Sequence, residues 1–171
     1  MADIKALFEY NWDCRRKFLE SFGALPWNEV VADRGASFGS MRNIFIHSLA
    51  AEHDWLADLA RGKVGTSTDY DPDRDFGDMA AMGKYLEKVE ADDRAYLQRL
   101  RPGDLSKPFP LRAREGPDGV LTVEDILVHV VEEEIHHRGE LLCLMWQIDV
   151  EPPNIDYIDY TIGKRNRVVS D

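Results

Sequence analysis

A chain of 171 residues with 44% hydrophobic and 31% charged residues has the material for one globular domain with a sizeable core. A net charge of −11 repels phosphate backbones, so it argues against a nucleic-acid partner unless basic residues are concentrated somewhere. No run approaches the roughly 18 apolar residues of a membrane span, and the start MADIKALFEYNWDCRRKF lacks the basic and apolar stretches of a signal peptide, so a cytoplasmic protein with no membrane partner is expected.

Residues 3–22 read as the first helix, with Ile4, Leu7, Phe8, Cys14, Phe18, Leu19 and Phe22 on a broad apolar face and Gly23 as a stop. Asn11 and Trp12 lie in its middle, as core packing first and as pocket lining second. The RRK at 15–17 and the GKRNR at 163–167 are the basic patches, each short and read as solvated. Residues 23–39 form a long loop, a type often functional, at whose end Ser37 or Ser40 is placed to cap the second helix. That helix spans residues 40–61. Ile44, His47, Ala51 and Trp55 share one stripe, so His47 interrupts an apolar face. His53 lies about 600° around the helix from His47 and reads as surface.

Residues 62–75 read as loop; their acidic DYDPDRD lacks the Gly and the terminal Glu of a calcium loop. Residues 76–101 form the third helix, closed by Arg101, Pro102 and Gly103. FPLRAREGPDGVLTV reads as a small hairpin turning at PDG. Thr122, with Asp125 three residues on, makes a capping box for the fourth helix, which runs to about Ile148. From about 149, Pro152, Pro153, Tyr157 and Tyr160 mark an irregular tail packed along the surface. Cys14 and Cys143 are expected as buried free thiols. The expected fold is all-α: a four-helix bundle with long connections and a small hairpin before the last helix, in one domain over 1–171.

The chemistry concentrates in HVVEEEIHHRGE, residues 129–140. Ile126, Val130, Glu133, His137, Leu141 and Leu144 recur at steps of three and four, the spacing of one inward face. A carboxylate on that face needs a partner: a metal, a cation or a hydrogen-bond donor. Four residues advance a helix by about 6 Å and a little over one turn, so Glu133 and His137 can address one ion. With His47 they make two imidazoles and one carboxylate, a set that leaves coordination positions open. A buried polar network, with Glu133 accepting from His137 or Arg138, competes with the metal reading. Glu133–His136 and Glu134–His137 both spell E-x-x-H, but a di-iron bundle needs a second such motif, and the chain has none. His129, one turn before Glu133, and His136 are candidates for a pocket or a fourth ligand. Gly139, costly inside a helix, suggests close approach of a backbone or a ligand.

These residues resemble the DinB superfamily, four-helix bundles related to bacillithiol- and mycothiol-dependent enzymes. SFGSMRNIFIHSLAAEHDWL is similar to the family's second helix, where a His at the place of His47 is a metal ligand. EEEIHHRGE is similar to its closing H-x-x-x-H-R-G signature, with His137 at the last ligand position, and YNW at 10–12 resembles its first helix. Glu133 departs from the pattern, which commonly has His there; a carboxylate still ligates zinc, nickel, manganese or iron. The resemblance implies a divalent metal at one end of the bundle, often a homodimer, and thiol-dependent transferase or hydrolase chemistry on a small-molecule substrate, with a low-molecular-weight thiol as the co-substrate. A non-catalytic metal- or small-molecule-binding bundle is the alternative.

Overall fold

The computed structural model describes residues 3–111 and 118–170, with side chains to 166. In chain order the elements are α1 (Ile4–Gly23), α2 (Trp27–Val31), α3 (Met41–Arg61), α4 (Pro72–Asp75), α5 (Met79–Arg99), β1 (Pro108–Leu111), β2 (Gly119–Thr122), α6 (Val123–Trp146) and α7 (Tyr157–Ser170). The fold is all-α apart from the two-stranded hairpin, which stands just before the last bundle helix as expected.

Each long helix starts where a side-chain oxygen meets an orphan N–H. Asp3 accepts from Lys5 for α1, Ser40 from Asn43 for α3, and Asp78 from Ala81 for α5. Thr122 and Asp125 cap α6 reciprocally. Gly62, at φ 70°, ends α3 in a conformation that a Cβ disfavours.

The bundle consists of α1, α3, α5 and α6; α3 packs on α5 and α6, and α1 packs on the same two from the other side. One apolar cluster holds Phe18, Phe22, Met41, Phe45, Val89 and Leu141. A second holds Phe8, Trp12, Leu56, Leu97, Ile126 and Val130. Chain order across the two clusters sets the directions: α1 and α6 run one way, α3 and α5 the other. The parallel pair α3 and α5 therefore needs the long 62–78 connection.

Between the clusters the bundle helices bring four buried charged side chains into one layer, Arg15, Glu52, Asp93 and Glu134, and α6 also buries Arg138 one turn on. Arg15 is thus no solvated basic patch. It lies in the core, pairing with Glu134 Oε2 at 2.6 Å and Glu52 Oε1 at 2.9 Å, the latter an ion pair whose N–H is not aligned for a hydrogen bond.

Several other expectations change. The tail forms helix α7, started by Asp156, whose Oδ1 accepts from Ile158 and Asp159. Tyr157 and Tyr160 pack against Tyr10, 5.0 and 5.2 Å between ring centroids. Cys14 is buried, but Cys143 is exposed. The 23–39 loop contains α2, and the 62–75 loop contains the single turn of α4, capped by Asp71. Gly119 lies in β2 opposite Leu111; the rest of the expected PDG turn includes Pro117, outside the described residues. No described helix is long and apolar enough to cross a membrane.

Candidate metal site

Helix α6 divides its side chains by angle. Ile126, Val130, Leu141 and Leu144 face the core as the periodicity requires. His137 sits at the margin of that face and is only 5% exposed. Glu133 is turned further outward, its side chain 38% exposed. The carboxylate that α6 buries is its neighbour Glu134, held by Arg15. The expectation that Glu133 is the buried acid is therefore corrected, and the cation its position called for lies on α1 beside Glu134.

His47 and His137 come together from α3 and α6, with ring centroids 5.0 Å apart and planes nearly perpendicular. Glu133 Oε2 lies 3.7 Å from His137 Nε2, adjacent but beyond a hydrogen bond. The other ring nitrogen is engaged: His137 Nδ1 is 2.9 Å from Glu140 Oε2. A carboxylate only accepts, so Nδ1 carries a proton, and Nε2 is the ring nitrogen left on the Glu133 side to ligate an ion. Glu140 is fixed in turn by the Ser37 N–H at 3.1 Å and the Ser37 hydroxyl at 2.8 Å. Burial pushes the Glu140 carboxyl up, but hydrogen bonds from His137 and Ser37 outweigh it and hold the pKa below the usual value. A carboxylate on the far nitrogen of a histidine is the arrangement that orients metal-ligating imidazoles. By that test His137 is oriented as a metal ligand, and the imidazole and carboxylate types beside it suit a divalent ion.

The 23–39 segment supplies the cover. Ser40, not Ser37, caps α3; Ser37 reaches Glu140 instead. Phe38 stacks on His47 at 3.7 Å and stands 5.7 Å from His137. Gly39 closes the turn at φ 79°, and Asp33 carboxylate atoms lie 3.2 Å from where its Cβ would stand, so a larger residue would be strained by the backbone angle and crowded by Asp33. Burial lowers the pKa of His47, and His137 adds to the effect, so the imidazole is biased to its neutral, ligating form.

The remaining candidates divide. His136 is exposed and stacks on His137 at 5.1 Å. His129 meets the Trp55 ring edge-on at 5.6 Å. Among the described residues, the group of three whose donor atoms all lie within 4.8 Å of one another is His129, Glu132 and Glu133; His47, Glu133 and His137 are spread more widely. Arg138 turns away from the site, donating to Asn11 Oδ1 at 3.0 Å and lying over the Tyr10 ring. Trp12 donates to Glu52 at 2.8 Å. Asn11, Trp12 and Arg138 thus tie the helices together rather than touch the histidines. Nothing within the described chain approaches Gly139 closely. His53, read as surface, is half-buried and meets Asp93 at 3.2 Å.

Glu140 and Phe38 were not singled out from the sequence. Glu140 carried a signal, standing three residues after His137, where helical neighbours meet. Phe38 carried none, since loop contacts are not periodic.

A narrow cavity of about 30 Å³ adjoins the site, lined among others by Ser48, Glu52, Trp55, Glu133, Glu134 and His137. That volume admits an ion or a water or two. A larger hollow of about 330 Å³, beside Leu59, Tyr96, Arg99 and Lys107, includes none of the histidines.

The sequence model of the DinB family matches residues 1–167. The chain is 21% identical over 157 residues to the uncharacterized protein YizA of Bacillus subtilis (strain 168), covering 91% of this chain and 94% of that one. Among solved structures it is similar in fold to a DinB-like protein, YjoA, also from Bacillus subtilis, at a TM-score of 0.61 and 18% identity, covering 88% of this chain and 98% of that one.

Proposed function

We propose that this chain, which belongs to the DinB family, is a divalent-metal-dependent enzyme acting on a small molecule by thiol transfer or hydrolysis. One observation carries the reading: Glu140 fixes His137 through Nδ1 and turns Nε2 toward Glu133, beside His47. His47, Glu133 and His137 would hold the ion. Two imidazoles and a carboxylate suit zinc, nickel, manganese or iron. Such an ion lowers the pKa of a thiol or water at its open position. Cys14 is a poor candidate for the nucleophile, because it is sealed in the bundle and burial pushes its thiol up. A low-molecular-weight thiol from outside is the better one. Phe38, 38% exposed, would stand at the mouth and limit water. The setting is the cytoplasm, where Cys14 and Cys143 stay free.

A second reading, a non-catalytic metal-binding bundle, draws on the tighter His129–Glu132–Glu133 group. Metal analysis of tag-free protein after incubation with zinc, nickel and manganese separates the two. Loss of uptake in His47→Ala and His137→Ala, with retention in His129→Ala, supports the enzyme site. The reverse pattern favours the second reading, and no uptake by the wild type removes both.

The active form is read as a homodimer. Val128, Ile135 and Trp146 are each more than half exposed on the outer face of α6, and Gly139 lies on the same stripe.

A further inference from the structure

The mid-bundle layer holds three carboxylates, from Glu52, Asp93 and Glu134, around one guanidinium. Arg15 faces Glu134 through Nε and one terminal nitrogen, and Glu52 Oε1 through the other. Trp12 also donates to Glu52 Oε1. On the far side Asp93 Oδ1 meets His53 Nδ1. This leaves Glu52 Oε2 and Asp93 Oδ2, both buried and both without a donor. Their carboxyls are near enough for a side-chain hydrogen bond.

Two ionised carboxylates offer each other only acceptors. The contact between them closes when one carries a proton, which also removes one of two like charges from a poorly solvated place. We propose that Glu52 and Asp93 share a single proton, exchanged with solvent through His53, and that Glu52 is thereby the proton donor and acceptor facing the cavity beside His137 and Glu133.

The surroundings agree. The facing groups are Arg15 from α1, His53 from α3, Lys88 and Asp92 beside His53 from α5, and Glu134, Glu133 and His137 from α6. Burial pushes Glu52 up to about 7, and Asp93 adds to it against the pull of Arg15 and Trp12. Burial raises Asp93 as well. The His53 side chain is 21% exposed, so it touches both Asp93 and water.

The transfer conserves charge. His53 donates from Nδ1 to Asp93 Oδ1 at rest. A proton from bulk water joins His53 at Nε2; the Nδ1 proton passes to Asp93 Oδ1; the proton shared by the carboxyls moves wholly to Glu52, which gives it to a base in the cavity. The reverse order carries a proton from a water or thiol in the cavity back to bulk water. The use of this relay in the cavity rests on the metal-enzyme reading, whereas the shared proton does not.

Infrared spectroscopy of the metal-free protein tests it at about pH 6, where ordinary carboxyls are ionised. A protonated-carboxyl stretching band should appear, shift on carbon-13 labelling of either the glutamate or the aspartate carboxyls, and vanish in Glu52→Gln and Asp93→Asn. The labels require no change of sequence, so a variant that fails to fold leaves that arm intact. Absence of the band, or a band that neither label moves, overturns the shared proton. On transfer to heavy water, His53→Phe should keep the band but slow its deuterium shift roughly a hundredfold, the low end of what a positioned proton-transfer group contributes. Exchange as fast as wild type overturns the relay. Because no metal is used, these results stand apart from success or failure of metal uptake.

Discussion

The Arg15 guanidinium holds the Glu134 carboxylate at 2.6 Å, across 119 residues of chain, with both side chains nearly sealed from solvent. The same cation faces Glu52. Removing one partner of a buried pair strands the other, which costs far more than the pair contributes while intact. Arg15→Met should therefore destabilise the fold by about 3–5 kcal/mol at neutral pH. The penalty should shrink on acidification, because carboxyls left without their cation take up protons. Urea titrations at neutral and mildly acidic pH check both parts, and a loss below about 1 kcal/mol would be that of an exposed pair instead.

Glu140 acts on a metal only through His137. Glu140→Gln should weaken metal affinity about 10–100-fold while leaving the melting temperature nearly unchanged. Ser37→Ala, which removes one of the two Ser37 contacts to Glu140, should weaken it less. Calorimetric titration with zinc measures the order; equal affinity in Glu140→Gln and wild type would show that the carboxylate does not orient the ligand.

Asp58 closes the end of α3. Its carboxylate accepts from the N–H groups of Gly65 and Thr66 and pairs with Arg61. Burial pushes its pKa up, but the Thr66, Gly65 and Arg61 hydrogen bonds prevail and hold it below the ordinary aspartate value. A carboxyl depressed in the folded state adds stability above its unfolded pKa and gives it up as pH falls through the folded one. Wild-type stability should thus decline below about pH 4. Asp58→Asn should flatten that decline and cost about 1–3 kcal/mol at neutral pH. Denaturant midpoints at stepped pH decide it, an unchanged slope counting against the assignment.

Val128, Ile135 and Trp146 are exposed on one side of α6. Wild-type protein should sediment as two chains at micromolar concentration, and Ile135→Lys as one, with equal helical circular dichroism. A wild-type monomer would mean that this stripe faces water.

What the sequence made legible was local. The Thr122–Asp125 box and the bundle helices depend on contacts within a few residues, and they stand where expected. Neighbouring Glu133 and Glu134 point about 100° apart on a helix, and only Arg15, on another helix, decides which one is buried. His53 was misjudged for the same reason, since its partner Asp93 lies 40 residues on. α7 was legible in principle: Asp156 is an ordinary N-cap, but the prolines before it suggested irregular chain. His47 and His137 do meet, because each occupies the margin of an apolar stripe and the α3–α6 packing joins those margins.

The charged layer also works as an index. Apolar side chains tolerate displacement, since one leucine replaces another with modest loss. Shifting α6 against α1 by one turn, about 5.4 Å, would bring either Val130 or Arg138 opposite Arg15 in place of Glu134. The first strands a buried cation and the second sets two cations together. The same step on α3 would replace Glu52 by Ser48 or Leu56. Only one axial setting of the four helices pairs the ions, and that setting also brings His47 level with His137 and leaves Ser37 within reach of Glu140.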